Sequence, residues 1–147
     1  MSGTIAHAVG GGSDPGTARA TLRPLFLTGI PAGFPSPADD YIEKHLDLNE
    51  HLVKHPAATF FVRVTGDSMA DAGIRNGDIL IVDRSLNPSS GRVVIAVLDG
   101  ELTVKRLVKR NGVVRLASES DGHPDIEIPE GADLQVWGVV TCAIHQL

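Results

Sequence analysis

The chain has 147 residues, 42% of them hydrophobic, and a formal charge of −5. That length supports one domain with a modest core, and the interspersed charges lack the basic footprint that binding to a phosphate backbone requires, so direct sequence-specific DNA binding is not expected. Cys142 is the only cysteine, which excludes a disulfide within the chain and points to a reducing, cytoplasmic setting.

Residues 1–32 carry Gly10-Gly11-Gly12-Ser13-Asp14-Pro15-Gly16 and no periodic apolar face, the composition of a flexible arm. Within it, Leu22, Leu25, Phe26, Leu27 and Ile30 suffice to dock as an extended strand. The start has no charged region followed by an apolar one, so no secretory signal is expected. The longest apolar run, Val93 to Leu98, is far below the roughly 20 residues that span a bilayer. Ile42, Leu46 and Leu48 or Asn49 fall near one helical face, which predicts a short helix within 41–52.

From Thr59 onward the pattern is β. Phe60 to Val64 reads as a strand, and Ile79 to Val82 as another, punctuated by the turn residues Asp78 and Asp83. Asp99-Gly100 is a strong hairpin signal between Val93–Leu98 and Glu101–Val108. Asn111-Gly112 repeats the device before Val113 to Leu116. A last strand or pair covers Leu134 to Ile144, with Cys142 expected as a small buried apolar residue there. The expected fold is mostly β: a single domain of antiparallel strands and hairpins over 33–147, with a short helix, preceded by the arm 1–32.

Chemistry concentrates in Gly66-Asp67-Ser68-Met69, followed 37 residues after Ser68 by Lys105 within Leu102-Thr103-Val104-Lys105-Arg106-Leu107. Alone, Ser68 reads as a turn residue capping a nearby amide, and Lys105 as a strand lysine with its head in water. As a pair they match a serine nucleophile and a lysine base, one recurring way to activate a hydroxyl. The lysine must then be neutral, and burial lowers a lysine pKa from its free value of about 10.4. Alternation places Lys105 with Thr103 and Leu107, opposite Val104 and a water-facing Arg106. Ser68 falls after the Phe60 strand, where a turn exposes its hydroxyl, and the backbone N–H groups of Ser68 and Met69 are candidate oxyanion donors. His51 and His55 lie one helical turn apart, but no third ligand accompanies them, so no metal and no other cofactor is expected. Asp67 has no histidine partner for a Ser-His-Asp set and reads as a turn residue.

With Gly33-Phe34-Pro35-Ser36-Pro37-Ala38-Asp39-Asp40-Tyr41, His55 to Val62, Gly66 to Met69, Gly73 to Asp83 and Asp99 to Leu107, the chain resembles the LexA/UmuD family of self-cleaving serine peptidases over roughly residues 25 to 147. The resemblance implies a LexA-like peptidase domain with Ser68 as nucleophile, Lys105 as general base and the Ala32–Gly33 peptide bond as substrate. It further implies cleavage stimulated by the RecA filament on single-stranded DNA. The product, residues 33–147, is then expected to form a homodimer that joins a UmuC-type polymerase subunit for translesion synthesis in the SOS response. The arm from Met1 to Ala20 is longer and richer in glycine than is usual in this family.

Two other readings compete. A LexA-like or phage-type repressor needs a helix-turn-helix domain, which the 32 glycine-rich residues before the cut do not suggest. A non-catalytic interaction module of the same fold conflicts with the intact Ser68, Lys105 and Ala32–Gly33. The apolar stretch Val136 to Ile144 suggests a terminal edge strand that a dimer would cover.

Overall fold

The computed structural model describes residues 3–6, 21–26 and 42–147. They divide into two compact units, residues 3–6 with 55–147 and residues 21–26 with 42–54. Ala32–Gly33 and most of the expected arm lie outside the described residues.

In the smaller unit, β2 (Arg23–Phe26) pairs antiparallel with β3 (Ile42–Leu46), Arg23 standing opposite Leu46. A five-residue helix, α1 (Leu48–Leu52), follows. Asp47 starts it by accepting the Asn49 N–H at 2.9 Å, which satisfies one of the otherwise open amides of a first turn. The predicted helix is therefore a strand over its first half. Ile42 and Leu46 are four residues apart, a spacing that returns to the same face of a helix and equally of a strand, so their spacing does not discriminate.

The larger unit contains one antiparallel sheet, in the order β1 (Gly3–Ala6), β4 (Thr59–Val64), β5 (Ile79–Asp83), β10 (Leu134–Ile144), β6 (Val93–Leu98), β7 (Glu101–Arg110), β8 (Val113–Ala117), β9 (Ile126–Ile128). β1 is a short strand inside the segment expected as an arm, with Gly3 opposite Val64. The Asp99-Gly100 and Asn111-Gly112 hairpins form as expected. Both turn residues of each have positive φ, 48° and 84° in the first and 50° and 75° in the second, the left-handed geometry that matches strand twist in a two-residue hairpin.

Two cores flank the sheet. Val62 and Val64 of β4, Leu80 and Val82 of β5, Ile95 of β6 and Val104 of β7 share the first. Because β5, β10 and β6 lie between β4 and β7 in the sheet, that sharing requires the sheet to curl. Val94, Ala96, Leu107, Leu116 and Val139 form the second core. β6 contributes to both, which accounts for its uninterrupted apolar run: a strand covered on both faces has no polar side.

β10 pairs with β6 over Leu134–Val139 and with β5 over Val139–Ile144. Only Val139 is paired on both sides, so among the described residues Val140 to Ile144 carry no strand on the edge that faces away from β5. Cys142 on this strand is half-buried rather than buried, opposite Ile81. Register shifts at Val136/Gly138 and Val140/Cys142 mark where β10 passes from β6 to β5. Gly138 sits at this transfer, and a Cβ there would stand 2.7 Å from Val82 Cγ1 and 3.2 Å from the Asp83 carbonyl oxygen. Gly138→Ala is therefore expected to destabilise the fold by about 1–3 kcal/mol through overpacking, read as a lower urea midpoint with an unchanged slope. An unchanged midpoint would show that the crossing has slack.

The two aspartates read as turn punctuation also hold distant histidines. Asp78 accepts the Arg75 N–H within its turn and bonds His145 Nδ1 at 2.7 Å. Asp83 bonds Ser85 through both the backbone N–H and the hydroxyl, and His55 Nδ1 at 2.5 Å. Burial raises the Asp83 pKa, but the hydrogen bonds from Ser85 and His55 outweigh it and leave the carboxyl below its ordinary value. Among the described residues no helix is long and apolar enough to cross a membrane.

Candidate active site

The turn that carries Ser68 is built from the end of β4. Gly66 takes φ 90°, a conformation open to glycine, and its N–H bonds the Asn76 side-chain oxygen at 2.8 Å. Val64 continues the anchoring, pairing with Asp78 and Gly77 through backbone bonds of 2.8 Å each. Met69 then turns into the first core at 1% exposure, while its carbonyl accepts the N–H groups of Ala72 and Ile74. Ser68 is thus held between a glycine turn and a buried side chain. Its hydroxyl is not exposed as the sequence suggests: the residue is 1% accessible.

Lys105 stands in the middle of β7, opposite Val94 of β6. Thr103, Val104, Lys105 and Leu107 are all buried, so the lysine stem lies in an apolar interior. Its Nζ is 2.6 Å from Ser68 Oγ. Burial pushes the Lys105 pKa down from the ordinary lysine value, because an ammonium loses hydration there. The arrangement can place an unprotonated amine against a serine hydroxyl, the requirement for general-base activation.

A cleft of about 910 Å³ opens onto the pair, lined by Thr65 to Ser68 on one side, Gly100 to Thr103 and Lys105 on the other, and Ser118, His123 and Pro124 at the rim. Its position follows from strand pairing. β6 covers Glu101 to Arg106 of β7, whereas β8 begins its pairing with β7 only at Arg106. Among the described residues, the second edge of β7 over 101–105 therefore carries no strand and faces the cleft. An extended peptide can add to such an edge through main-chain hydrogen bonds.

Arg106 departs from the water-facing role expected for it. Its Nε bonds the Glu119 carboxylate, and its Nη1 donates to the Gly91 carbonyl at 2.6 Å. Glu119 carried no sequence signal, since it lies in an irregular stretch 51 residues after Ser68, yet its N–H donates to the Ser68 carbonyl at 2.7 Å and its carbonyl accepts the Asp71 N–H at 2.7 Å. Asn76 was missed for a similar reason: its role is a bond to a turn ten residues earlier. Asp67 acts through its backbone, its carbonyl accepting the Ala70 N–H. His55 is engaged with Asp83 rather than with His51.

Comparison with known proteins identifies the family. The family model described as peptidase S24-like matches residues 24–141. Protein ImpA of Salmonella typhimurium is 47% identical over 134 residues, which is 91% of each chain. Protein SamA of Salmonella typhimurium strain LT2 is 49% identical over 126 residues, 86% of this chain and 87% of its own. The LexA repressor of Shewanella baltica is 36% identical over 128 residues, 80% of this chain and 62% of its own. The chain belongs to the peptidase S24-like family, and within it to the UmuD-like self-cleaving serine peptidases of SOS mutagenesis.

Proposed function

We propose that this chain cuts itself between Ala32 and Gly33, with Ser68 as nucleophile and Lys105 as general base. The observation that carries the reading is the 2.6 Å contact between Lys105 Nζ and Ser68 Oγ in a buried setting. Neutral Lys105 takes the hydroxyl proton as Ser68 Oγ attacks the Ala32 carbonyl carbon. The resulting oxyanion is stabilised by the backbone N–H groups of Ser68 and Met69. Protonated Lys105 then delivers its proton to the departing Gly33 amine, leaving an ester between Ala32 and Ser68. Water, deprotonated by the regenerated amine, hydrolyses that ester and restores the serine.

The small side chains of Ala32 and Gly33 suit a narrow cleft. Tethering makes the attack local, and well-oriented intramolecular reactions reach effective molarities of about 10⁵ M or more, so a slow pair suffices. In this reading the RecA filament on single-stranded DNA stimulates the cut. Residues 33–147 then form a homodimer that serves a UmuC-type polymerase subunit in translesion synthesis. The experiment is incubation of the purified chain with activated RecA filament, followed by intact-mass measurement. Products 1–32 and 33–147 are expected; a cut at another bond, or none, defeats the assignment.

A further inference from the structure

Ser68 and Lys105 come from parts of the fold that are not neighbours in the sheet: one lies on a turn beyond β4, the other in the middle of β7. A contact of 2.6 Å between them needs something that locks the turn to the strand. Met69 fixes the depth of the turn, but an apolar anchor sets position along β7 only loosely. A polar connection from β7 to the turn runs through Arg106 and Glu119.

Glu119 holds the nucleophile turn at two points, its N–H to the Ser68 carbonyl and its own carbonyl to the Asp71 N–H, both at 2.7 Å. It follows β8 by two residues, and β8 ends with Ala117 directly opposite Arg106. From there the Arg106 guanidinium reaches forward to the Glu119 carboxylate while its other arm holds the Gly91 carbonyl. Arg106 is covalently adjacent to Lys105. The bonds therefore close a ring: Lys105 to Arg106 through the backbone, Arg106 to Glu119 through side chains, Glu119 to Ser68 through the backbone, and Ser68 back to Lys105 through the reacting atoms.

We infer that Arg106 and Glu119 are positioning residues for self-cleavage, a guanidinium–carboxylate clamp that sets the Ser68 hydroxyl against the Lys105 amine. This rests on the catalytic reading of the pair given above. A planar fork bonded at two points gives directional constraint, and a reacting group displaced by about 1 Å loses about a hundredfold in rate. The side chains of both residues remain about one-third exposed, 33% for Arg106 and 28% for Glu119, so their pairing contributes little to overall stability and its effect falls on geometry.

The test measures two rates on the full chain: unassisted self-cleavage at alkaline pH, and covalent labelling of Ser68 by a fluorophosphonate, which reports nucleophile activation without the cut-site segment. Glu119→Ala and Arg106→Ala are each expected to lower both by about 10- to 100-fold, with circular dichroism and melting temperature near those of the unmodified chain. The double variant is expected to be no slower than either alone, because the two act as one unit. Glu119→Gln keeps an oxygen that accepts from Arg106 Nε and is expected to recover most of the rate, a rescue that a general loss of stability does not produce. Unmodified rates in folded Glu119→Ala and Arg106→Ala overturn the clamp while leaving the catalytic pair standing. If Glu119→Ala does not fold, Glu119→Gln and Arg106→Ala decide: rates falling together with the melting temperature, with no rescue by glutamine, overturn it. Failure of the underlying reading looks different, since the unmodified chain would then neither cleave nor label, and the clamp would fall with it.

Discussion

Ser68→Ala and Lys105→Ala are each expected to lower self-cleavage by about three orders of magnitude or more while leaving the fold intact. Removing the hydroxyl removes the nucleophile. Removing the amine leaves a hydroxyl that cannot lose its proton near neutral pH. Because the two act as a unit, the double variant is expected to cleave no more slowly than either single one. Time courses on denaturing gels check this, with melting temperatures confirming that the variants fold. Cleavage by Lys105→Ala at even a tenth of the unmodified rate would show that another group takes the proton.

Met69→Ala is expected to be the most damaging change to the fold near the site, costing about 2–5 kcal/mol as judged from buried large-to-small substitutions. Met69 is 1% exposed and packs with Val62, Val64, Ile74 and Leu80, so truncation leaves a void that the surrounding strands cannot close. The same side chain anchors the turn directly after Ser68. Self-cleavage is therefore expected to fall even at temperatures where the variant remains folded. Chemical denaturation and cleavage rate measured on one preparation separate the two effects, and a loss of stability below about 1 kcal/mol would show that the core adapts.

Much of this was legible because local chemistry dictates it. Asp99-Gly100 and Asn111-Gly112 tolerate two successive positive φ values, so the hairpins and the strand bearing Lys105 follow from short sequence signals. The glycine before Asp67 and Ser68 announces a turn in the same way, and alternation on β7 distinguishes Lys105 from Arg106. The 37-residue separation gains meaning only through family resemblance, since spacing alone does not bring a turn and a strand together.

What was illegible depends on long-range placement. Ile42 and Leu46 satisfy helical and strand periods together, and only the pairing with β2 decides. Strand order is not written in any local pattern, so the division of β10 between β6 over Leu134–Val139 and β5 over Val139–Ile144 could not be read from Val136 to Ile144 alone. β9 (Ile126–Ile128) is three residues long and exists through its pairing with β8. Glu119 and Asn76 act on a turn that their own neighbours in sequence do not form. Arg106 looked like a solvated strand residue because its partner lies beyond the next strand.

The dependence of unassisted self-cleavage on pH tests most directly whether Lys105 is the base. Burial lowers the Lys105 pKa, so the neutral amine is the minor form below that value and its fraction rises tenfold with each pH unit approaching it. The rate is predicted to climb by about tenfold per unit and then level off at a pH below about 10.4, the value for an unperturbed lysine. A rate that stays constant from mildly acidic to mildly alkaline pH, in protein that remains folded throughout, would contradict the account.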